Sequence, residues 1–303
     1  MGYKNGIIDL HIHSSASDGS LSPEKILCRA VESGLSAIAI TDHDTLEGAA
    51  AALGYGIPES LDFLTGVEIS AEFPPGFDTS GSMHILGYGI SLENRYLNQL
   101  LEKQQNARSS RNPGIIEKLN SLGIQVTLEE IEAEFGRREI ARPHIASHLA
   151  RKGYAADVDE AFDRYLARGR PAYVDKFRIP AEQAAEAIDA AGGIAVLAHP
   201  GLLPESVQKG LEKFITALKS MKIRGMEVYY PGHGPEQISR YENLAEKFGL
   251  LVTGGTDFHG DINQHIIMGK GLGDMAIPYS LFQRLKQALP PKKHGQTAPA
   301  TKQ

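Results

Sequence analysis

The sequence has little of several features that would take it outside the ordinary globular proteins. It has one cysteine, Cys28, in 303 residues, so it cannot form an internal disulfide, and it has no tryptophan. No apolar run approaches the roughly 18 residues that span a bilayer. The net charge of −6 at pH 7 argues against a general basic surface for long nucleic acid. With no signal peptide evident, we expect a cytoplasmic protein without a membrane, long nucleic acid or protein partner.

The composition fits a folded chain with a sizeable core. Hydrophobic residues make up 42% and charged residues 22% of the sequence. The length suits two average domains, or one α/β barrel that carries an insertion. Histidine is the unusual residue, with 11 copies.

Short apolar runs alternate with helical patterns. The runs predicted as strands are residues 7–10, 35–40, 62–67, 83–90, 194–198, 225–230 and 250–253. Helices are indicated at 181–191 and 235–248, and a third begins at Ser22-Pro23 and ends near Gly34. Strands that alternate with helices indicate an α/β fold with a parallel sheet or barrel. Seven strands are one fewer than in the common eightfold barrel.

The middle of the chain departs from this alternation. Residues 97–178 are mostly helical and more charged, and they are predicted to form a helical insertion between the fourth and fifth strands. The barrel would then comprise residues 1–96 and 179–288. Residues 289–303 are polar and predict a disordered tail.

Residues of metal-ligating types follow most of the predicted strands. They are His11, His13, Asp18, His43, Glu68, His199, Asp257 and His259. Two of the pairs are spaced two residues apart, which on a strand points both side chains to one face. His84 is the exception, because it begins its strand. The active site of an α/β barrel lies at the C-terminal strand ends, and imidazoles with carboxylates suit Zn, Mn or Fe.

Each of these residues also has an ordinary structural interpretation. His11 and His13 could be a half-buried polar pair, and His84 a core histidine. Glu68 could cap a helix or form an ion pair, and His199 could belong to a turn. The recurrence of ligand types at separate strand ends nevertheless favours a metal site.

Ordered motifs in this set resemble the PHP (polymerase and histidinol phosphatase) superfamily over about residues 5–270. The motifs are Asp9–His13, Ser17–Gly19, Thr41–Thr45, Gly66–Glu68, His84, His199-Pro200 and Asp257–Gly260. The chain is most similar to the TrpH-like, stand-alone metal-dependent phosphoesterases, the branch of the 3′,5′-nucleoside bisphosphate phosphatases. That branch carries an inserted helical domain and an Arg-Pro-His motif, here Arg142-Pro143-His144.

The resemblance implies a distorted seven-stranded (β/α) barrel that holds three divalent ions, with Mn favoured over Fe or Zn. The implied ligand sets are His11, His13, Glu68 and Asp257; Glu68, His84 and His199; and Asp18, His43 and His259. Asp9 and Asp42, beside ligands, are expected to orient imidazoles through the second ring nitrogen.

Such ions neutralise a phosphate and lower the pKa of bound water from about 15.7 to about 7 in zinc sites, so that a bridging hydroxide can attack phosphorus. The resemblance implies a phosphoesterase that removes the 3′-phosphate of nucleoside 3′,5′-bisphosphates. A 5′-3′ exonuclease on short 5′-phosphorylated oligoribonucleotides is the related alternative. Two further alternatives are a histidinol-phosphate phosphatase and a non-enzymatic, metal-binding regulatory module.

Residues outside the ligand set are candidates for substrate binding. Arg142, His144 and Lys176 are expected to hold a second phosphate, since arginine offers a bidentate fork and lysine a point charge. His233 follows the sixth strand and is a candidate for substrate contact or for protonation of the leaving group. The alternative for each is a surface or turn residue without a role.

Overall fold

Strands and helices alternate through most of the chain that the structure, a computed structural model, describes: residues 6–77, 83–135, 140, 142–174 and 177–291. The strands are β1 (Ile7–Ile12), β2 (Leu35–Ile40), β3 (Asp62–Glu72), β4 (Met83–Tyr88), β5 (Ile179–Pro180), β6 (Ile194–Leu197), β7 (Gly225–Tyr229) and β8 (Leu251–Gly254). The α-helices are α1 (Pro23–Glu32), α2 (Glu47–Tyr55), α3 (Arg95–Ser121), α4 (Leu128–Phe135), α5 (Arg142–Arg151), α6 (Val158–Ala161), α7 (Ala181–Ala190), α8 (Glu205–Lys209), α9 (Leu211–Ser220), α10 (Pro235–Phe248) and α11 (Tyr279–Ala288). The predicted α/β class is confirmed. Among the described helices, none combines the length and apolarity needed to cross a membrane.

Helix α1 begins and ends where the sequence predicts. The Ser22 hydroxyl accepts a hydrogen bond from the main-chain N–H of Lys25, and Pro23 occupies the first turn, where its missing N–H costs nothing. Gly34 follows the helix with φ +69°, a left-handed conformation that glycine adopts without strain.

Seven strands form one sheet in the order β1-β2-β3-β4-β6-β7-β8, and β5 pairs with β3 outside this path. Strand β4 is antiparallel to both of its neighbours, whereas the other pairs are parallel. The prediction of a purely parallel alternation is therefore wrong at β4. None of the described residues between β3 and β4 is helical, and antiparallel strands need no helical crossover.

The reversed direction of β4 explains the position of His84. The first residues of an antiparallel strand lie at the edge where its parallel neighbours end. His84 pairs in register with Ser70, two residues beyond Glu68. A histidine that begins β4 is thus delivered to the same edge as the histidines that follow the other strands.

The two ends of the seven-stranded sheet meet, as a distorted (β/α) barrel requires. Ile12 of β1 forms a parallel bridge with Phe258, which follows β8. The N–H of His13 donates to the carbonyl of Phe258 at 2.9 Å, and the N–H of Phe258 donates to the carbonyl of His11 at 3.3 Å. The strands that carry the first and last candidate ligands are therefore held together by main-chain hydrogen bonds.

Helix α3 connects two hydrophobic cores. Its first half contributes Leu97, Leu100 and Leu101 to a cluster with β3, β4 and α7. Its second half contributes Ile115 and Leu119 to a separate cluster with α4 and α5. The predicted insertion thus contains residues of both cores, and its proposed limits at 97 and 178 stay a prediction. The proposed tail lies outside the described residues from 292 onward.

The close approach of the sheet ends depends on Gly255. A Cβ at this position would lie 2.3 Å from the main-chain nitrogen of His11. Gly255→Ala is expected to lower the free energy of unfolding by about 1–3 kcal/mol, because the main chain must move to admit the methyl group. Urea denaturation followed by circular dichroism measures this change.

Gly54→Ala is the matched control for Gly255→Ala. Gly54 lies in α2, and a Cβ there would meet nothing within 4 Å. The alanine should leave stability unchanged or raise it, since it favours the helix. Equal stability of Gly255→Ala and wild type would contradict the expected role of Gly255.

Candidate metal centre

Nine side chains of metal-ligating types converge at the edge of the sheet where the parallel strands end. His11 lies in β1, His13 and Asp18 follow β1, His43 follows β2, Glu68 lies in β3, His84 begins β4, His199 follows β6, and Asp257 and His259 follow β8. The structure thus brings together all nine residues that the sequence pattern singled out.

Glu68 lies at the centre of this group and is 1% exposed. Five imidazoles surround its carboxylate. The contacts are Oε1 to His84 Nδ1 and His199 Nε2, both 3.0 Å, and Oε2 to His43 Nδ1, His13 Nε2 and His11 Nε2, at 3.0, 3.2 and 3.3 Å. One carboxylate therefore faces five imidazoles from four segments of the chain.

The donor atoms form three overlapping groups in which each atom lies within 4.8 Å of the others. The groups are His11, His13, Glu68 and Asp257; His43, Glu68 and His84; and His13, Asp18, His43 and His259. The first equals a set implied by the family resemblance, and the third adds His13 to another. The second contains His43 where the resemblance implies His199. His199 nevertheless lies 3.0 Å from Glu68 and 3.2 Å from His84.

Unpaired polar atoms show that these groups fit cations. His13 Nδ1, His43 Nδ1 and Glu68 Oε2 are buried without a well-aligned hydrogen bond, although Glu68 Oε2 lies 3.0 Å from His43 Nδ1. Buried polar atoms are nearly always paired, because an unpaired one loses its hydration without compensation. Divalent cations between the imidazole nitrogens and carboxylate oxygens would supply that compensation.

The buried charges perturb one another strongly. Burial alone would raise the pKa of Glu68, but His84 and His11 outweigh it and hold this pKa well below its usual range. The pKa of Asp257 is also lowered, because His11 and His13 outweigh the effect of burial. Burial opposes protonation of His13, yet hydrogen bonds to Asp257 and Glu68 raise its pKa to about 9. The site therefore keeps its carboxylates anionic, as cation ligands require.

Backbone strain is concentrated at the same place. Of the four non-glycine residues with positive φ in the described chain, three lie in or beside the site: Asp44 (54°), His199 (24°) and Asp257 (53°). Such conformations cost about 1–3 kcal/mol each and persist only when the surroundings enforce them. The fold thus holds two candidate ligands in conformations that the isolated chain would avoid.

Comparison with known proteins assigns the chain to one family. The family model described as the PHP domain matches residues 9–292. The chain belongs to the PHP domain family. It is 34% identical over 272 residues to a 5′-3′ exoribonuclease of Haemophilus influenzae, and the alignment covers 89% of this chain and 96% of that protein. It is 32% identical over 253 residues to a 3′,5′-nucleoside bisphosphate phosphatase of Chromobacterium violaceum, with coverage of 83% and 87%.

A solved structure extends this similarity to the fold. A protein of Bifidobacterium adolescentis, provisionally described as a metal-dependent phosphoesterase, superposes with a TM-score of 0.67 and 28% identity, over 94% of this chain and 96% of that one. This PHP domain is therefore a metal-dependent phosphoric ester hydrolase, and the non-enzymatic alternative is set aside.

Asp9 of this PHP domain does not orient an imidazole, contrary to the prediction. Its Oδ1 accepts the main-chain N–H groups of His11 and Thr256 at 3.3 and 2.9 Å. Its Oδ2 accepts the Thr256 hydroxyl at 2.5 Å and the N–H of Gly269 at 2.8 Å. Burial raises the pKa of Asp9 to about 6 against these hydrogen bonds. Asp9 instead ties β1 to the segment that carries Asp257.

Asp42 also binds loop atoms rather than an imidazole. Its Oδ1 accepts the N–H of Ser14 and the hydroxyl of Ser17, both at 2.7 Å. Its Oδ2 accepts the hydroxyl of Ser14 at 2.7 Å. The prediction is wrong because a carboxylate beside a ligand in sequence points away from that ligand. Asp42 orders the loop that carries Asp18.

Glu227, which sequence reasoning missed, has the role that was predicted for Asp9. It lies in β7, is fully buried, and places Oε1 2.9 Å from His11 Nδ1. Its Oε2 accepts the main-chain N–H of His199 at 2.7 Å. With a proton on Nδ1 shared with Glu227, the Nε2 lone pair of His11 faces Glu68 and Asp257. The sequence did contain a signal for this role, because Glu227 is an acidic residue within the otherwise apolar run Met226–Tyr229.

Two of the predicted phosphate-binding residues, Arg142 and His144, lie on α5. Arg142 Nη1 donates to the carbonyl of Leu166 at 3.3 Å, and its guanidinium lies 5.3 Å from the centre of the Tyr173 ring. The half-buried His144 packs against Phe135, with ring centres 5.0 Å apart. Lys176 lies outside the described residues. Their roles stay a prediction.

His233 has both ring nitrogens engaged by the main chain, which argues against a role as a general acid. Its Nδ1 lies 2.8 Å from the carbonyl of Val228, and its Nε2 accepts the N–H of Gly201 at 3.0 Å. The ring is therefore neutral, and burial lowers its pKa. Tyr230 lies closer to the ligands, since its hydroxyl is 3.3 Å from Asp257 Oδ2.

Glu227→Gln is expected to weaken Mn²⁺ binding about 10–100-fold, as other losses beside metal ligands do. An amide N–H in place of the carboxylate oxygen would donate to His11 Nδ1 and move the proton to Nε2, which then could not ligate. Isothermal titration calorimetry with Mn²⁺ measures the change. Glu242→Gln is the control. Glu242 is exposed, and its contact with β7 is a hydrogen bond from the hydroxyl of Tyr229 rather than a contact with a candidate ligand. Equal affinity of Glu227→Gln and wild type would refute this role.

Proposed function

We propose that this PHP domain hydrolyses small nucleotides and removes the 3′-phosphate from nucleoside 3′,5′-bisphosphates. The observation that carries the proposal is the buried Glu68 carboxylate, which belongs to two of the three overlapping groups of candidate ligands. Adjacent divalent cations neutralise the charge of a phosphate and stabilise the attacking and leaving oxygens during its hydrolysis. The bisphosphate phosphatase of C. violaceum supports the choice of substrate.

Three divalent ions, with Mn²⁺ the preferred one and Fe or Zn as alternatives, would occupy the centre. The proposed ligands are His11, His13, Asp18, His43, Glu68, His84, His199, Asp257 and His259. Three carboxylates among nine ligands favour Mn²⁺, because oxygen donors suit harder cations. When bound, the ions would supply charge neutralisation of the phosphate and activation of water.

The protein would contribute orientation and selectivity. Asp257 and Glu68 are held by their imidazole neighbours, so their carboxylates need not reorganise when substrate binds. Arg142 would receive the 5′-phosphate. Its contacts with Leu166 and Tyr173 orient the guanidinium. The hydrogen bond to Leu166 uses one of its five N–H groups, so other N–H groups would be left to bind the phosphate.

A second candidate is 5′-3′ exonuclease activity on short RNA. It is favoured by the 34% identity with the H. influenzae exoribonuclease, whose length is matched over 96%. Both reactions require water attack on a phosphorus next to the same ions, and they differ in the leaving group. A histidinol-phosphate phosphatase would use one phosphate and would not require Arg142.

The proposal is tested by assaying the Mn²⁺-loaded protein against four substrates. These are adenosine 3′,5′-bisphosphate, a 5′-phosphorylated dinucleotide, AMP and histidinol phosphate. The bisphosphate is expected to give the highest kcat/KM, with phosphate and AMP as products. A higher kcat/KM for the dinucleotide would favour the exonuclease, and one for histidinol phosphate would overturn both nucleotide functions.

Asp257→Asn is expected to reduce activity at least about 100-fold and to lower the amount of bound Mn²⁺. Asparagine has nearly the same size as aspartate, but it lacks the negative charge of the ligand. Metal analysis after dialysis and phosphate release measure the two effects. Asp261→Asn is the matched control, because the Asp261 side chain is 72% exposed and forms a long ion pair of 3.9 Å with Arg29. Full metal content in Asp257→Asn would exclude Asp257 as a ligand.

Arg142→Ala is expected to raise KM for the bisphosphate about 10–100-fold, the worth of a hydrogen bond to a charged group. The KM for a 3′-monophosphate should hardly change, because that substrate lacks the second phosphate. Arg151→Ala on the same helix is the control, because Arg151 is 67% exposed and bound to Glu134. Equal losses on both substrates would refute the second-phosphate role.

A further inference from the structure

Gln104 is a buried side-chain amide whose contacts the proposed function does not use. It lies in α3 and is 1% exposed. Its Nε2 donates to Asp44 Oδ1 at 2.6 Å and to the carbonyl of Ser70 at 2.8 Å. Its Oε1 accepts the N–H of Ile179 at 2.8 Å. One amide thus joins α3 to the loop after β2, to β3 and to β5.

The loop that Gln104 contacts carries a candidate ligand. Asp44 follows His43, and its N–H donates to the carbonyl of Glu68 at 2.9 Å, while the N–H of Glu68 donates to the carbonyl of Asp42 at 3.1 Å. His43 is therefore held opposite Glu68 by the residues on either side of it. Asp44 has φ +54°, so this arrangement depends on contacts that keep it in place.

The same amide reaches the other side of this ligand group. Ser70, whose carbonyl binds Gln104, pairs in register with His84. The N–H of Ser70 donates to Asp44 Oδ1 at 2.8 Å, so one carboxylate oxygen accepts hydrogen bonds from both Gln104 and β3. Gln105 adds a hydrogen bond from its Nε2 to the carbonyl of Asp44 at 2.7 Å.

We propose that Gln104 is a positioning residue that holds the His43, Glu68 and His84 group in the geometry for one metal ion. Its contacts flank this group on two sides, since Asp44 follows His43 and Ser70 pairs with His84. The inference rests on the proposed metal-dependent function. Because α3 also carries the core of the insertion, Gln104 fixes that insertion relative to the metal centre.

The test replaces Gln104 with leucine, which has similar volume and no hydrogen-bonding groups. Mn²⁺ binding is measured by isothermal titration calorimetry and by metal analysis after dialysis. Gln104→Leu is expected to weaken one Mn²⁺ equivalent about tenfold and to leave the others unchanged. Activity should recover toward the wild-type kcat when Mn²⁺ is raised, because the ligands themselves are intact.

Asn120→Leu is the matched control on the same helix. The Asn120 amide makes two main-chain hydrogen bonds to Val126, at the far end of α3. This variant should lose stability and keep its Mn²⁺ affinity. If both variants lose Mn²⁺ equally, or if Gln104→Leu keeps the wild-type affinity for every equivalent, the inference is overturned.

Gln105→Ala decides the matter if Gln104→Leu does not fold. Gln105 is exposed, and its substitution removes only the hydrogen bond to Asp44. It should weaken the same Mn²⁺ equivalent in the same direction, and unchanged affinity would overturn the inference. A wild-type protein that binds no Mn²⁺ would instead contradict the proposed function.

Discussion

The site depends on one buried carboxylate, Glu68, which five imidazoles contact. A charge removed from water is costly unless other charges and hydrogen bonds compensate for it. Here the compensation comes from residues spread between His11 and His199, so it exists only when the chain is folded. The positive φ of His199 and Asp257 has the same origin, because the surrounding fold enforces a conformation that the local chain disfavours. Fold and site are therefore coupled through the electrostatics of a single side chain.

Much of the fold and all nine candidate ligands could be predicted from the sequence, because these features have local signals. Serine before proline marks the start of α1, and histidines two apart at the end of β1 share a face. The antiparallel direction of β4 could not be predicted. The sequence shows an apolar run and not its direction, and the direction follows from a short connection. His84 was singled out by its residue type, although its position contradicted the expected rule.

The residues that support the ligands were harder to predict, because their contacts join distant parts of the chain. Glu227 binds His11 across 216 positions, and no spacing rule relates two such residues. Asp9 and Asp42 lie one or two residues from ligands in sequence, but this spacing does not specify the partners of a buried carboxylate. Asp9 binds main-chain N–H groups and the Thr256 hydroxyl, and Asp42 binds Ser14 and Ser17. Proximity in sequence thus placed both carboxylates near the ligands correctly, but it predicted the wrong hydrogen-bond partners for them.

The reaction is easier to infer than the substrate, because the two depend on different parts of the molecule. The candidate ligands lie on strand ends that main-chain hydrogen bonds fix, so their identity and geometry restrict the chemistry to that of bound cations. Arg142 and His144 lie on α5, which packs in the core of the insertion rather than in the barrel. Helix α3 contributes to that core with its second half and to the core beside the sheet with its first half. A change around α5 could therefore alter which substrate binds while the strand ends keep the same candidate ligands, which fits relatives that share the PHP domain and differ in named substrate.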